Sequence, residues 1–359
     1  MENEKNFMDS LTEMKEKYQN ELEKQVPINY ESLLQESNEV ATVPVSVKRK
    51  PKPVTISADS IVERDVMDRE KDLKSALYGN KSAFQIVAAQ SGYMAKVMPL
   101  VHKDAFNLLY STLSRYEYKK AVYKVIYDKI LDVSVGKMSF DEWLKNTTVE
   151  DIETFYYGIY CATFPDEGNF SYVCEDCGNP VNYKINNNSL LKTADTAEMK
   201  KLIDQVSKNA LNREAMSQFS LIGKNETYKL EDSGIVVEIR TPTLWDSLEL
   251  LRLIPEEVID KDTRSVTNML YVDRVLIPVR DQQGKYSPQT DRQEILRLID
   301  SLTVDDAAVL QDVVSDRVEN HRISYSIKKV VCPTCKSEIT DIPVSIEDIL
   351  FTLIFEKIR

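Results

Sequence analysis

Two CxxC knuckles, Cys174-Glu-Asp-Cys177-Gly178 and Cys332-Pro-Thr-Cys335-Lys336, take up four of the chain's five cysteines. A tetrahedral zinc ion needs four such donors, so a chain carrying them on two tight turns is constrained to bring those turns together. The flanks read as strands. Phe170, Tyr172 and Val173 lead into the first knuckle, and Val181, Tyr183 and Ile185 leave it. Ile323, Tyr325, Ile327, Val330 and Val331 lead into the second, and Ile339, Ile342 and Val344 leave it. Each knuckle thus stands at the turn of a hairpin, which is the layout of a zinc ribbon. One CxxC alone also serves redox chemistry, but neither knuckle lies in a thioredoxin-like βαβ pattern, so zinc held by Cys174, Cys177, Cys332 and Cys335 is the expectation. Four thiolates leave no open position for water or substrate, and the ion is expected to be structural.

The spacing is unusual. Known ribbon patterns part their knuckles by about 15–20 residues, whereas residues 178–331 intervene here. An internal repeat accounts for the gap. Ser91-Gly92 and Ser233-Gly234 stand at the turns of two further hairpins, and at the same offset of 142 Asp104, Leu108 and Leu109 match Asp246, Leu250 and Leu251. Thr148-Val-Glu-Asp151 matches Thr303-Val-Asp-Asp306, a helix-start signal in which Thr caps free N–H groups and the acids sit near the positive end of the helix dipole. The chain therefore reads as two diverged units, residues 61–190 and 225–359, joined by a connecting segment 191–224 and preceded by an arm 1–60. One ion would fasten the two units together.

The arm carries Phe7, Leu11, Met14, Tyr18 and Leu22 at helical spacing on a narrow apolar stripe. Two readings stand, a helix docked on its own domain or fraying in solution, and a helix that packs in a groove or coiled coil on another subunit; the flexible linker behind it favours a partner, and the basic run Lys48-Arg-Lys-Pro-Lys52 reads first as part of that linker, ahead of a phosphate-binding or partner-binding arm. A net charge of −12 argues against a general affinity for nucleic acid, which needs clustered Lys and Arg. No apolar run of membrane-spanning length occurs, and the opening Met-Glu-Asn-Glu-Lys lacks the layout of a signal peptide, so a cytosolic protein is expected. The fifth cysteine, Cys161, follows Phe155, Ile159 and Tyr160 on a helical face and reads as core.

Helices are expected over 61–78, 102–133, 148–162, 194–218, 243–253, 263–276, 291–300, 303–318 and 345–357, with short hairpins between them. The strands do not alternate with helices as βαβ units would, so the fold class is α+β with small antiparallel sheets. Catalytic machinery is thin: two histidines, His102 and His321, no nucleophile elbow, and nine glycines in the whole chain with no phosphate-binding loop among them. The acidic pairs Glu150-Asp151 and Asp305-Asp306 read as helix-start groups rather than catalytic carboxylates.

The run Gln90-Ser91-Gly92-Tyr-Met-Ala-Lys-Val97-Met-Pro99-Leu100, a helical stretch with Leu108-Leu109, Thr148-Val149-Glu-Asp151-Ile152-Glu, an aromatic helix, and Phe170-Ser-Tyr172-Val-Cys174-Glu-Asp-Cys177-Gly178 resembles the baseplate hub assembly family of T-even-like contractile-tailed bacteriophages. The likeness covers residues 84–186 and recurs more weakly over 227–345. Two units and the arm before residue 60 depart from that family's plan. The resemblance implies a non-enzymatic structural or assembly protein of the tail baseplate hub, present in the host cytoplasm during assembly and in the virion tail, with other tail proteins as partners. The alternative is a zinc-ribbon protein that binds nucleic acid or serves transcription, which the knuckles and the Lys48–Lys52 run would suit.

Overall fold

The computed structural model describes most of residues 83–350, together with Asp65 and Asp68. Residues 102, 105–113, 165–166, 187–190, 195, 256–258, 260–262, 283, 345 and 348–349 lie outside the described residues, as do the apolar stripe from Phe7 to Leu22, the Lys48–Lys52 run, nearly all of the expected helix 61–78, and residues 351–359. The class is mixed α and β with antiparallel sheets. No helix among the described residues is long and apolar enough to cross a membrane.

Two hydrophobic cores organise the described residues. The first begins with strands β1 (Phe84–Ala88) and β2 (Tyr93–Val97), which alternate inward and outward so that Ile86, Ala88, Tyr93, Ala95 and Val97 are buried. Strand β3 (Ile130–Val133) pairs with β2 and completes a three-stranded sheet. Helix α1 (Arg115–Asp128) and helix α2 (Phe140–Asn146) precede helix α3 (Ile152–Thr163), which is buried on nearly every side. The α2 start is a capping box in which Ser139 and Glu142 satisfy each other's backbone donors, and it sets Trp143 fully inside, ringed by Tyr127, Phe140 and Phe155. Gly158 lets α3 lie directly on the sheet. A Cβ there would stand 2.4 Å from Ile86 Cγ2 and 2.9 Å from Val97 Cγ2.

The chain leaves α3 through β4 (Glu167–Val173) and β5 (Pro180–Asn186), a two-stranded hairpin that carries the first knuckle. Strand β6 (Leu191–Ala194) and helices α4 (Ala197–Asn209) and α5 (Arg213–Phe219) follow. Where one connecting helix was expected over 194–218, Asn212 starts a second by accepting from Ala215 N–H.

The second core forms on a four-stranded sheet. Strands β7 (Glu226–Lys229) and β8 (Val236–Ile239) make its hairpin, helices α6 (Leu244–Leu253) and α7 (Thr263–Tyr271) follow, and β9 (Val272–Pro278) and β10 (Tyr286–Gln289) extend the sheet in the order β10-β9-β8-β7. Helices α8 (Arg292–Asp300) and α9 (Val304–His321) cover it, burying Ile295, Leu310 and Val314 against Val237, Val272 and Val275. The expected helix 263–276 therefore ends at Tyr271, because Val272, Val275, Leu276 and Ile277 favour a strand and find β8 as a partner. Likewise the expected helix 102–133 gives way to β3 at Ile130.

The last strands, β11 (Ile323–Val331) and β12 (Glu338–Pro343), form the second knuckle's hairpin. Their side chains do not join the core of the helices that precede them. Ile323, Tyr325, Ile327, Val330 and Ile342 belong to the first core, where the Tyr325 ring stacks on Tyr157 at 4.3 Å between centroids. Strand β6 pairs with the opposite edge of β11, from Ile323 against Ala194 to Ser326 against Leu191.

The two sheets carry matching details. The β2–β3 pairing slips at Lys96/Val97 and the β8–β9 pairing slips at Glu238/Ile239, again at an offset of 142. The carboxylate of Asp104 accepts from Val101 N–H and that of Asp246 from Thr243 N–H. Between the cores, Thr148 and Thr243 form an isolated antiparallel bridge, with Leu244 N–H donating to Thr147 C=O at 2.8 Å and Val149 N–H to Pro242 C=O at 3.1 Å.

Candidate metal centre

The two hairpin turns that carry the cysteines have the same backbone. Cys174 C=O accepts from Gly178 N–H at 2.8 Å, and Cys332 C=O accepts from Lys336 N–H at 3.0 Å. Cys174 N–H donates to Asn179 C=O and Cys332 N–H to Ser337 C=O, both at 2.9 Å. The turn requires a left-handed residue after its second cysteine. Gly178 meets this at φ 68°, and Lys336 at φ 65°, where a side chain adds roughly 1–2 kcal/mol of strain.

The turns meet. Cys174 Sγ stands 3.7 Å from Cys335 Sγ, and Cys177 Sγ stands 3.7 Å from Cys332 Sγ. All four sulfurs lie within 4.8 Å of one another, and none is in a disulfide. An ion with metal–sulfur bonds of about 2.3 Å places tetrahedral sulfurs about 3.8 Å apart, so this donor set has the spacing and chemistry of a four-thiolate site. The first cysteine of each knuckle, Cys174 and Cys332, is buried, while Cys177 is partly covered and Cys335 exposed.

Hydrogen bonds single out the inner sulfurs. The bond with Ser337 is the foremost cause that lowers the Cys174 thiol to about 6, and the N–H groups of Cys177 and Asp176 add to it against the cost of burial. Backbone N–H groups of Cys335 and Thr334 lower Cys332 in the same way. At Cys177 the Asn179 backbone bond lowers the thiol, but desolvation and the neighbouring thiols Cys335 and Cys332 outweigh it and push it up to about 11. A cation placed among the four sulfurs would relieve that crowding of negative charge.

The remaining candidates fall elsewhere. Cys161 lies 2% exposed in the first core, and burial pushes its thiol up to about 12. His321 ends α9, where its Nδ1 stands 3.0 Å from Arg317 C=O; His102 lies outside the described residues. Asp305 and Asp306 lie in the first turn of α9 as expected, whereas Glu150 and Asp151 precede α3 and are used differently. The Asp151 carboxylate makes no cap bond to α3; it accepts from Gln90 and Ser91 in the β1–β2 turn. Glu150 takes the Tyr271 hydroxyl from the second core, and Asp306 accepts from Asp232 and Ser233 in the β7–β8 turn. Thr303 does cap α9 by accepting from Asp306 N–H. Ser337 and Asn179, which the sequence reading passed over, both reach cysteine sulfurs; their shared place five residues after the first cysteine of each knuckle is the signal that could have found them.

Residues 84–350, the segment that holds both cores and all four clustered cysteines, match the model of a family described as T4 bacteriophage base plate protein. No match was found among curated proteins or among solved structures. The matched segment is well over half of the 359 residues, and the chain belongs to the T4 bacteriophage base plate protein family.

Proposed function

We propose that the chain is a structural or assembly protein of the tail baseplate hub, without a reaction of its own, in which one zinc ion joins Cys174, Cys177, Cys332 and Cys335. The observation that carries this reading is the convergence of four cysteine sulfurs, from knuckles far apart in sequence, inside the segment that matches the base plate family. An all-thiolate tetrahedral set suits zinc and uses every coordination position, so the ion supplies folding free energy and no reactive site. It fastens the β4–β5 hairpin to the β11–β12 hairpin, which Tyr325 already seats on the first core.

The chain is read as two diverged copies of one hairpin, helices and CxxC hairpin unit, joined by a zinc ribbon. The paired slips at Lys96/Val97 and Glu238/Ile239 support this, as do the paired carboxylate bonds of Asp151 to Ser91 and Asp306 to Ser233. The arm before residue 61, with Phe7, Leu11, Met14, Tyr18 and Leu22, is assigned the docking of another tail protein. On this reading the protein works in the host cytoplasm during assembly and in the tail baseplate.

Affinity capture of the tagged chain from phage-infected cells, followed by mass spectrometry, tests the assignment. Baseplate proteins are expected with the full chain and are expected to be lost when residues 1–60 are removed. Capture of transcription proteins or nucleic acid in their place would overturn it.

A further inference from the structure

We propose that Ser337 and Asn179 are positioning residues of the four-cysteine site, whose side-chain hydrogen bonds to sulfur set how tightly a soft divalent cation is held. The inference rests on the metal reading above. Both residues follow the first cysteine of their knuckle by five positions, and both use their backbone C=O to accept from that cysteine's N–H. Their side chains are thereby held at the sulfurs. Asn179 Nδ2 stands 3.4 Å from Cys177 Sγ. Ser337 Oγ stands 3.2 Å from Cys335 Sγ and 3.5 Å from Cys174 Sγ, so its single O–H is within reach of a sulfur of either knuckle and can be given to one of them at a time.

The direction of these bonds follows from the chemistry of loading. A cysteine gives up its proton to bind a metal, and a thiolate can only accept, so in the loaded site the Ser337 hydroxyl and the Asn179 amide are the donors. The donors are shared out by position. Backbone N–H groups of Asp176 and Cys177 face Cys174, and those of Thr334 and Cys335 face Cys332. The second cysteine of each knuckle, Cys177 or Cys335, is instead reached by the side chain two residues beyond it. Four thiolates around a dication leave two negative charges, and charge-assisted bonds spread that charge off the sulfurs. Groups one shell out from a metal commonly change its affinity by about 10–100-fold.

The test uses the full chain with Co2+ as probe, read by its sulfur-to-cobalt absorption, and Zn2+ affinity measured by competition with a chelator. Ser337→Ala is expected to weaken Zn2+ binding by about tenfold or more and to move the charge-transfer band to lower energy, because an unbonded sulfur gives up electron density more readily. Asn179→Ala is expected to move the band the same way, and Ser337→Thr to restore the parent behaviour. An unmoved band in Ser337→Ala, whether or not affinity changes, would overturn the proposal, as would a threonine variant that behaves like alanine. If the parent chain takes up neither metal, the zinc reading itself fails, and that outcome is distinct from a parent that binds and variants that match it.

Discussion

Asp151 accepts two hydrogen bonds from Ser91, from its N–H at 2.7 Å and from its hydroxyl at 2.6 Å. Ser91 Oγ accepts in turn from Thr148 N–H at 2.9 Å. A buried carboxylate thus ties the first hairpin turn to the start of α3, the helix at the centre of the first core. Asp306 repeats the bond to Ser233 in the second core, at 2.9 Å from the N–H.

Removing that carboxylate leaves buried donors without a partner. Asp151→Ala is expected to destabilise the chain by about 1–3 kcal/mol for each donor left unpaired. Urea unfolding followed by fluorescence of the buried Trp143 measures it. An unchanged midpoint would mean that the turn holds its shape without Asp151.

Gly158 supplies the second prediction. Its α3 backbone lies so close to Ile86 and Val97 that a methyl group overlaps both. Gly158→Ala is expected to cost about 1–3 kcal/mol, the usual range for overpacking, in spite of alanine's better helix propensity. A stabilised variant would contradict this packing.

The hairpins and several helix starts were legible from local sequence, because turn glycines and capping residues are local signals. The cysteine cluster was legible from chemistry, since four thiolates on matched turns have few other uses. The strands β3, β9 and β10 were not. Strands β3 and β9 follow closely on a helix with no turn signal between, and β10 is the mostly exposed, polar run Tyr-Ser-Pro-Gln beyond the Gly284 turn, so the neighbouring strand decides their conformation. Nor did the sequence disclose that Tyr325 packs on Tyr157 in the first core, because side-chain contacts across such a separation leave no periodic trace.

Acid sensitivity follows from two carboxylates of opposite sign. Burial holds the Glu150 carboxyl above its ordinary range, and the charge of Asp151 adds to this while the Tyr271 bond and Arg322 oppose it. A raised folded-state value means that its contribution is complete below about 4.3, the ordinary glutamate value, and fades as the pH climbs through the folded one. Glu150→Gln should therefore gain on the parent as the pH rises from 4 to 7. The Asp306 carboxyl is held below its ordinary range by the hydroxyl and N–H of Ser233 and the N–H of Asp232, so its contribution is present above the ordinary aspartate value and is lost as the pH falls through the lowered one. Urea midpoints of the parent and Glu150→Gln between pH 4 and 7, and of the parent and Asp306→Asn as the pH is lowered below about 4, the ordinary aspartate value, are the check; parallel profiles in its own window would count against each assignment.

Metal removal is expected to act locally. Strand β11 pairs with β6 and its Tyr325 is stacked in the first core, so the second knuckle is expected to keep its place without an ion, whereas the β4–β5 hairpin is a two-stranded sheet that, among the described residues, pairs with no other strand. Chelation, Cys174→Ser and Cys332→Ser are each expected to strip amide-exchange protection from residues 167–186 and to leave that of residues 84–97 intact. Loss of protection throughout the chain would mean that the ion, and not the cores, holds the fold.

Knuckles distant in sequence are proposed to share one ion within a single chain, and metal content measured beside native mass, with X-ray absorption at the zinc edge, decides whether they do. One zinc per monomer, bound by four sulfurs at about 2.3 Å, is the predicted result. One zinc per dimer, a shell containing nitrogen or oxygen, or a metal-free chain with Cys174 and Cys335 in a disulfide would contradict it.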